Sequence, residues 1–498
     1  MSLDAHLPAL QVVVPLLVAP LLVLLRDAGL AWAGAFAASL MALVLAVLQV
    51  AQVTDGAVLV YEMGGWPAPY GIELRIDGFN ALILLLVTGA STLSLLGGRE
   101  SLARDIDDDR QPLFYAAWLI SLAGLSGIAV TGDAFNVFVF MEISSLATYI
   151  LIAAGSDRRA LTAVFKYLIM GTIGATFYLI GVGLVYMMTG TLNFADMEQR
   201  LAEVADQRPV MVAAGFITVG LALKAAVFPL HVWLPNAYAY APHAVTAYIA
   251  ACSTKVALYV LLRFDFFVFQ GNLAGHSAQF TSFLIPLALL GIVVGSAIAV
   301  VQSDVKRILA YSSVAQIGYI LLGASFNSLT GLTAGIAHMF NHALAKGALF
   351  LAVAAIGTRL GRLQLRDIAG VAQRMPWTMA GLALAGASLV GVPGTAGFIS
   401  KWLLLEASME AGVIGIIAAV VVVASSLAAA VYVWRIVERA YFGSPGPALS
   451  AGTAAEAPWP LLAALWIAGL ANVYFGLVPG LPLELSSSAA AELLGHLP

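Results

Sequence analysis

A chain of 498 residues with 61% hydrophobic residues, 10% charged residues and a mean hydropathy of +0.95 cannot cover itself with the charge a water-soluble globule needs, so it is a polytopic membrane protein. The net charge of -4 is too small to point to a polyionic partner, and nothing in the sequence calls for nucleic acid. Cys252 is the single cysteine; a lone thiol cannot close a disulfide within the chain or hold an iron–sulfur cluster, so it reads as a small core residue.

The fold class expected is an all-α membrane bundle, with about fourteen apolar runs long enough to cross roughly 30 Å of hydrocarbon. The first, Leu10–Leu25, has no basic segment before it and no small-residue cleavage site after it, so it reads as a span rather than a signal peptide. Leu30–Val53, Phe79–Leu96, Leu113–Thr131, Ala134–Ala154, Ala160–Met188 and Val210–Phe228 follow. The second half adds His243–Val268, Phe280–Val301, Ile308–Ser325, Leu332–Gly357, Trp377–Glu406, Ile414–Val437 and Leu461–Val478. Between two of these runs, the acidic, amphipathic stretch 193–208 is expected on the membrane surface.

Arginine and lysine crowd into alternate loops, at Arg26, Arg99 to Arg110, Arg158 and Arg159, Lys306 and Arg307, Arg359 to Arg374, and Arg435 and Arg439. The opposite loops hold only Arg75, Arg200, Arg208 and Arg263. Cytoplasmic loops retain positive charge, which puts both termini on the outer side of what is expected to be a bacterial inner membrane. The remaining basic residues, Lys166, Lys224, Lys255, Lys346 and Lys401, all fall inside predicted helices. Lysine suits that place because it can lose its proton on burial, whereas arginine keeps its charge.

Glu142, in FNVFVFMEISSLATY, is the main acid within a span, either a structural partner for a lysine or a proton or cation site. Asp133 reads as a helix N-cap. Lys224 and Lys255 flank a segment interrupted by Pro229, Pro235 and Pro242, so the helix breaks where lipid supplies no substitute hydrogen bonds. A Glu142–Lys224 pair would couple the protonation of its two members. His338, His342 and Lys346 are four residues apart and therefore share one helix face. GVPGTAGFISKWLLLE repeats the break at Pro393 and presents Lys401, with Glu406 either neutralising it or lying near the outer surface. Two interrupted helices with buried lysines in the two halves suggest an internally repeated transporter. Lys166, His231 and His243 are accessory candidates; His6, His276 and His496 read as solvated. No cofactor, catalytic centre or metal site is expected: the paired histidines lack a co-ligand on their helix, and Walker A and dinucleotide-binding patterns are absent from the sequence.

LKAAVFPLHVWLPNAYAYAPHAVTAYIAACSTKVALYVLLR resembles the signature of the antiporter-like subunits shared by respiratory complex I and Mrp-type multisubunit cation/proton antiporters. ELRIDGFNALILLLV, VFMEISS, FKYLIMG, SDVKRILAYSSVAQIGYILLG, HMFNHALAKGALF and GFISKW extend the resemblance over about Glu73 to Glu438. It implies fourteen transmembrane helices with two inverted five-helix repeats, each containing a broken helix: residues 1–111 as three leading helices, 112–268 and 280–440 as the repeats, and 457–498 as the last helix and tail. It implies a proton path through Glu142 and Lys224, then Lys255 as a central link, then His338, His342, Lys346 and Lys401. The chain ends soon after its last apolar run, which favours the shorter family types, and Lys401 stands where one complex I type has glutamate, which leaves the D-type branch of the Mrp antiporters or the smallest antiporter-like subunit of complex I; the resemblance of AVFPLHVWLPNAYAYAP favours the D-type branch. The expected function is proton translocation in a sodium- or potassium-exchanging hetero-oligomer, with other membrane subunits and the lipid bilayer as partners. The alternatives are a proton-pumping subunit of an NADH:quinone oxidoreductase or membrane-bound hydrogenase and, third, a scaffold whose buried charges merely pair.

Overall fold

The computed structural model describes residues 3–54, 56–269, 276–361, 363–444 and 455–495, with side chains of the 276–301 helix described from 283 onward. His496 lies outside the described residues, and the reading of His276 as solvated falls on a side chain outside those described. The chain opens with α1 (Leu7–Val23) and α2 (Ala28–Val53), and a hairpin of β1 (Leu59–Glu62) and β2 (Glu73–Ile76) pairs antiparallel with Leu59 opposite Ile76. Then come α3 (Gly78–Asp105), α4 (Gln111–Val130), α5 (Ala134–Ala153), α6 (Arg159–Thr189), α7 (Phe194–Leu201), α8 (Arg208–Ala225), α9 (Leu234–Tyr240) and α10 (His243–Leu262). The second half holds α11 (His276–Val301), α12 (Val305–Ser325), α13 (Leu329–Leu360), α14 (Pro376–Val390), α15 (Ala396–Glu410), α16 (Gly412–Phe442), α17 (Trp459–Leu477) and α18 (Gly480–Leu493).

Among the described residues twelve helices are long and apolar enough to cross a membrane, and two shorter apolar helices, α1 and α14, lie where the sequence places two further runs. The protein is an all-α polytopic membrane protein whose described sheet is the one hairpin. A helix that is apolar all round must be buried or face lipid. Here α4, α10 and α12 are buried almost throughout, while α2, α6, α16 and α17 leave an apolar side open. Close approach of α6 and α8 depends on glycine: a Cβ at Gly220 would stand 2.5 Å from the carbonyl oxygen of Gly174.

Asp77 caps α3 in a reciprocal capping box with Asn80, and Asp133 caps α5 by accepting from the Asn136 N–H at 2.7 Å, as the sequence suggested. Within the amphipathic stretch 193–208, residues 194–201 form a short helix whose apolar side turns onto protein, with Phe194 edge-on to Phe264 at 5.3 Å. Arg263, assigned above to a loop, is buried, because α10 continues through a π-helical turn, Arg263–Val268. Lys306 is likewise buried in the first turn of α12, where it donates to Ala241 O at 2.7 Å.

Both helix breaks use one device. At the end of α8, Ala226 turns left-handed (φ 58°), its N–H reaching Leu223 O and that of Val227 reaching Ala222 O. At the end of α14, Gly391 turns left-handed (φ 91°), its N–H reaching Ser388 O and that of Val392 reaching Ala387 O. This paired reversal satisfies carbonyls that would otherwise be orphaned in lipid. Proline follows at Pro229 and Pro393, and α9 and α15 resume the helices.

Candidate functional site

In the first half, α5 and α8 bring Glu142 and Lys224 together. Lys224 is 8% exposed, and its Nζ lies 3.3 Å from Glu142 Oε1 and donates to Ser145 Oγ at 2.8 Å. The Glu142 side chain is 28% exposed, so the pair has a buried cation and a carboxylate open to one side. A cavity of about 30 Å³, enough for one or two waters, adjoins Lys224 and is lined by Ser144, Ser145, Thr148, Tyr167 and, from α10, Ser253. Through Ser253 it reaches the helix that carries Lys255.

Lys255 is 1% exposed and donates to Ala250 O in its own helix at 2.5 Å; the described hydrogen bonds and ion pairs give it no carboxylate. On α13, His338 and His342 stack with parallel rings 6.1 Å apart. His338 bridges two helices, with Nδ1 2.8 Å from Ser400 Oγ on α15 and Nε2 2.7 Å from Gln316 Oε1 on α12. An oxygen at Gln316 requires Nε2 to donate, leaving Nδ1 of the neutral ring to accept from Ser400. Neither ring nitrogen of His342 has a hydrogen-bond partner. Lys346 donates to Leu309 O at 2.6 Å and Ser312 Oγ at 2.5 Å.

Lys401 departs from the parallel drawn with Lys224. It follows its break rather than preceding it, and reaches back to the end of α14, donating to Leu389 O at 3.0 Å, Val390 O at 2.9 Å and Ser426 Oγ at 3.1 Å. Its ammonium also lies 5.1 Å from the Tyr319 ring, which packs edge-on to His338. Glu406 is exposed and forms no described ion pair with Lys401.

The accessory candidates scatter. Lys166 is exposed on α6 and does not join the buried row, so it shares no environment with Lys346. His231 stacks on Phe228, with ring centroids 5.3 Å apart. His243 borders a polar cavity of about 670 Å³ at the end of the bundle opposite the termini, together with Lys306, Asp304, Arg307, Asp157 and Arg104. Among the described residues no three His, Cys, Asp or Glu side chains are grouped to hold a metal. Sequence reasoning missed the neutral partners Ser145, Gln316, Ser400 and Ser426, which carry no signal until helices distant in the chain are brought together.

Twelve described helices long enough to span a membrane, two broken helices and a row of buried lysines and histidines define an antiporter-like membrane subunit. Residues 131–428 match the family model described as NADH:quinone oxidoreductase/Mrp antiporter, TM, and the chain belongs to that family. It is 42% identical over 465 residues to the N-type subunit of the NADH-quinone oxidoreductase of Desulforudis audaxviator, covering 92% of this chain and 90% of that protein. It is 31% identical over 437 residues to the D-type subunit of the Na(+)/H(+) antiporter of Bacillus subtilis, covering 87% and 86%. Its structure is similar to a chain of the Mrp complex from Dietzia sp. DQ12-45-1b, with a TM-score of 0.90 at 29% identity over 99% of this chain and 98% of that one.

Proposed function

We propose that the chain is the proton-translocating membrane subunit of a multisubunit Na+(K+)/H+ antiporter, passing protons through Glu142, Lys224, Lys255, His338, His342, Lys346 and Lys401. The observation that carries the reading is the Glu142–Lys224 pair, a salt bridge at 3.3 Å beside a water-sized cavity. A proton or cation that neutralises Glu142 removes the charge stabilising the Lys224 ammonium, so Lys224 passes its proton on toward Lys255. The row from Lys255 through His338 to Lys401 carries the change into the second half. In this reading residues 1–111 support the first repeat, 112–268 and 280–440 form the inverted five-helix units, and 457–498 close the bundle; the like-built reversals at Ala226 and Gly391 support it. The termini face outward across a bacterial inner membrane, and other membrane subunits complete the complex.

A second reading, a proton-pumping subunit of an NADH:quinone oxidoreductase or hydrogenase complex, is favoured by the 42% identity to the N-type oxidoreductase subunit. Everted vesicles containing the intact complex separate the two. Sodium- or potassium-dependent collapse of a proton gradient without an electron donor is the expected result. Exchange that requires a redox substrate would overturn the antiporter reading in favour of the second.

A further inference from the structure

We propose that Glu492, on the C-terminal helix α18, is the proton-release group at the end of the bundle that carries the termini, fed from Lys255 along one face of α10. The proposal rests on the proton-relay reading above, in which Lys255 is the central carrier.

Lys255, Tyr259 and Arg263 are four residues apart, so they line one helix face over about 12 Å. Lys255 is buried in the middle of α10, and Arg263 sits in the π-helical turn at the end nearest the termini. Between them, Tyr259 Oη accepts from Asn80 Nδ2 at 2.9 Å and donates to Ala129 O at 3.2 Å. Arg263 donates to Asn80 Oδ1 at 2.7 Å and forms a buried ion pair with Asp77. A cavity of about 20 Å³, room for one water, lies among Glu73, Arg75, Asp77, Asn80, Tyr259 and Arg263.

Glu492 closes this column from outside. Its Oε1 lies 3.7 Å from Arg263 Nη1 and 3.6 Å from Arg75 Nη2, makes no hydrogen bond, and belongs to a side chain 19% exposed. The charged or titratable groups facing it are Asp77, Arg75, Arg263 and Tyr259, with Glu73 across the small cavity. The two carboxylates therefore differ. Burial works against the Asp77 charge, but Arg263 holds its carboxyl below the usual range. Burial and the neighbouring Asp77 push the Glu492 carboxyl up. Of the pair, Glu492 is the group that can take a proton and, being partly exposed, return it to solvent.

The transfer breaks an N–H bond of the Lys255 ammonium and forms an O–H bond at Glu492, with water in the column as carrier. Arg263 never releases a proton; its charge bars free cations and leans toward Asp77 or Glu492 as the charge at Lys255 changes. The Tyr259 hydroxyl is committed to Ala129 O, so the column is shut in this structure and opens when that hydroxyl turns away.

The test uses the intact complex in proteoliposomes, with proton flux measured per assembled complex at varied pH on the side bearing the termini. Glu492→Gln is expected to lower flux about tenfold or more and to flatten its dependence on that pH, with Glu492→Asp restoring both in part. Tyr259→Phe, which keeps the ring packing but removes the hydroxyl that shuts the column, is expected to speed flux and leave the pH profile in place. Wild-type flux and an unchanged profile in Glu492→Gln would overturn the proposal, as would a loss confined to the amount of complex assembled, which marks α18 as a latch only. Lys224→Ala in the same assay separates the two readings: full flux there defeats the relay itself, whereas lost flux there with full flux in Glu492→Gln defeats only the release site.

Discussion

At the first break the buried Lys224 ammonium faces a carboxylate on a neighbouring helix, 3.3 Å away, whereas at the second the Lys401 ammonium faces two carbonyl oxygens at the end of α14 and one hydroxyl. A carboxylate supplies a whole negative charge that one proton can cancel; a helix C-terminus supplies about half a charge that nothing cancels. The first lysine is therefore switchable through its partner, while the second has a fixed counter-charge and must be switched by another group, the adjacent His338 being the one in place. The reversal of the backbone is the same in both halves; the difference lies in which side of it the lysine occupies.

The comparison breaks most severely at Lys224. Lys224→Ala is expected to cut proton flux on the order of 10²-fold with the complex still assembled, read as gradient collapse in vesicles beside a count of assembled complexes. Gly397→Ala attacks the second break instead. A Cβ there would stand 1.9 Å from Ser388 O, so α15 cannot seat against α14, and a loss of about 3 kcal/mol is expected as a lower melting temperature of the purified complex. Gln316→Leu strips the partner of His338 Nε2; leaving that nitrogen unpaired costs about 1–3 kcal/mol, and flux is expected to fall more than in the same substitution made at an exposed glutamine such as Gln207. The smallest effects sharpen the backbone argument. Ala226 holds a left-handed conformation that costs an L-residue about 1–2 kcal/mol, so Ala226→Gly is expected to be neutral or slightly stabilising, whereas Gly391→Ala is expected to lower stability by about that amount.

The crossings and both breaks were legible because lipid forces long apolar runs and because proline within such a run has few structural outcomes. The buried lysines were legible for the same reason, charge standing out against an apolar background. What was not legible depended on contacts between helices far apart in sequence. Ser145, Gln316 and Ser426 are ordinary small polar residues until α8, α13 and α15 are packed against them. Arg263 and Lys306 were read as loop charges because they sit at run ends, yet a π-helical turn and a kink of chain at Ala241 draw both inside. The hairpin Leu59–Ile76 and the short helix α18 escaped a search for spans, since neither is long enough to cross. Lys166 erred in the other direction: a lysine within a run was counted with the buried ones, but its side of α6 is open.

The central claim is that Glu142 and Lys224 act as one unit, and a double-mutant cycle on proton flux tests it most directly. If they form one relay step, Glu142→Gln, Lys224→Ala and the double variant will lose flux to nearly the same extent, because removing either member already disables the step. If the two losses multiply in the double variant, the residues act independently and the account of the first half is contradicted.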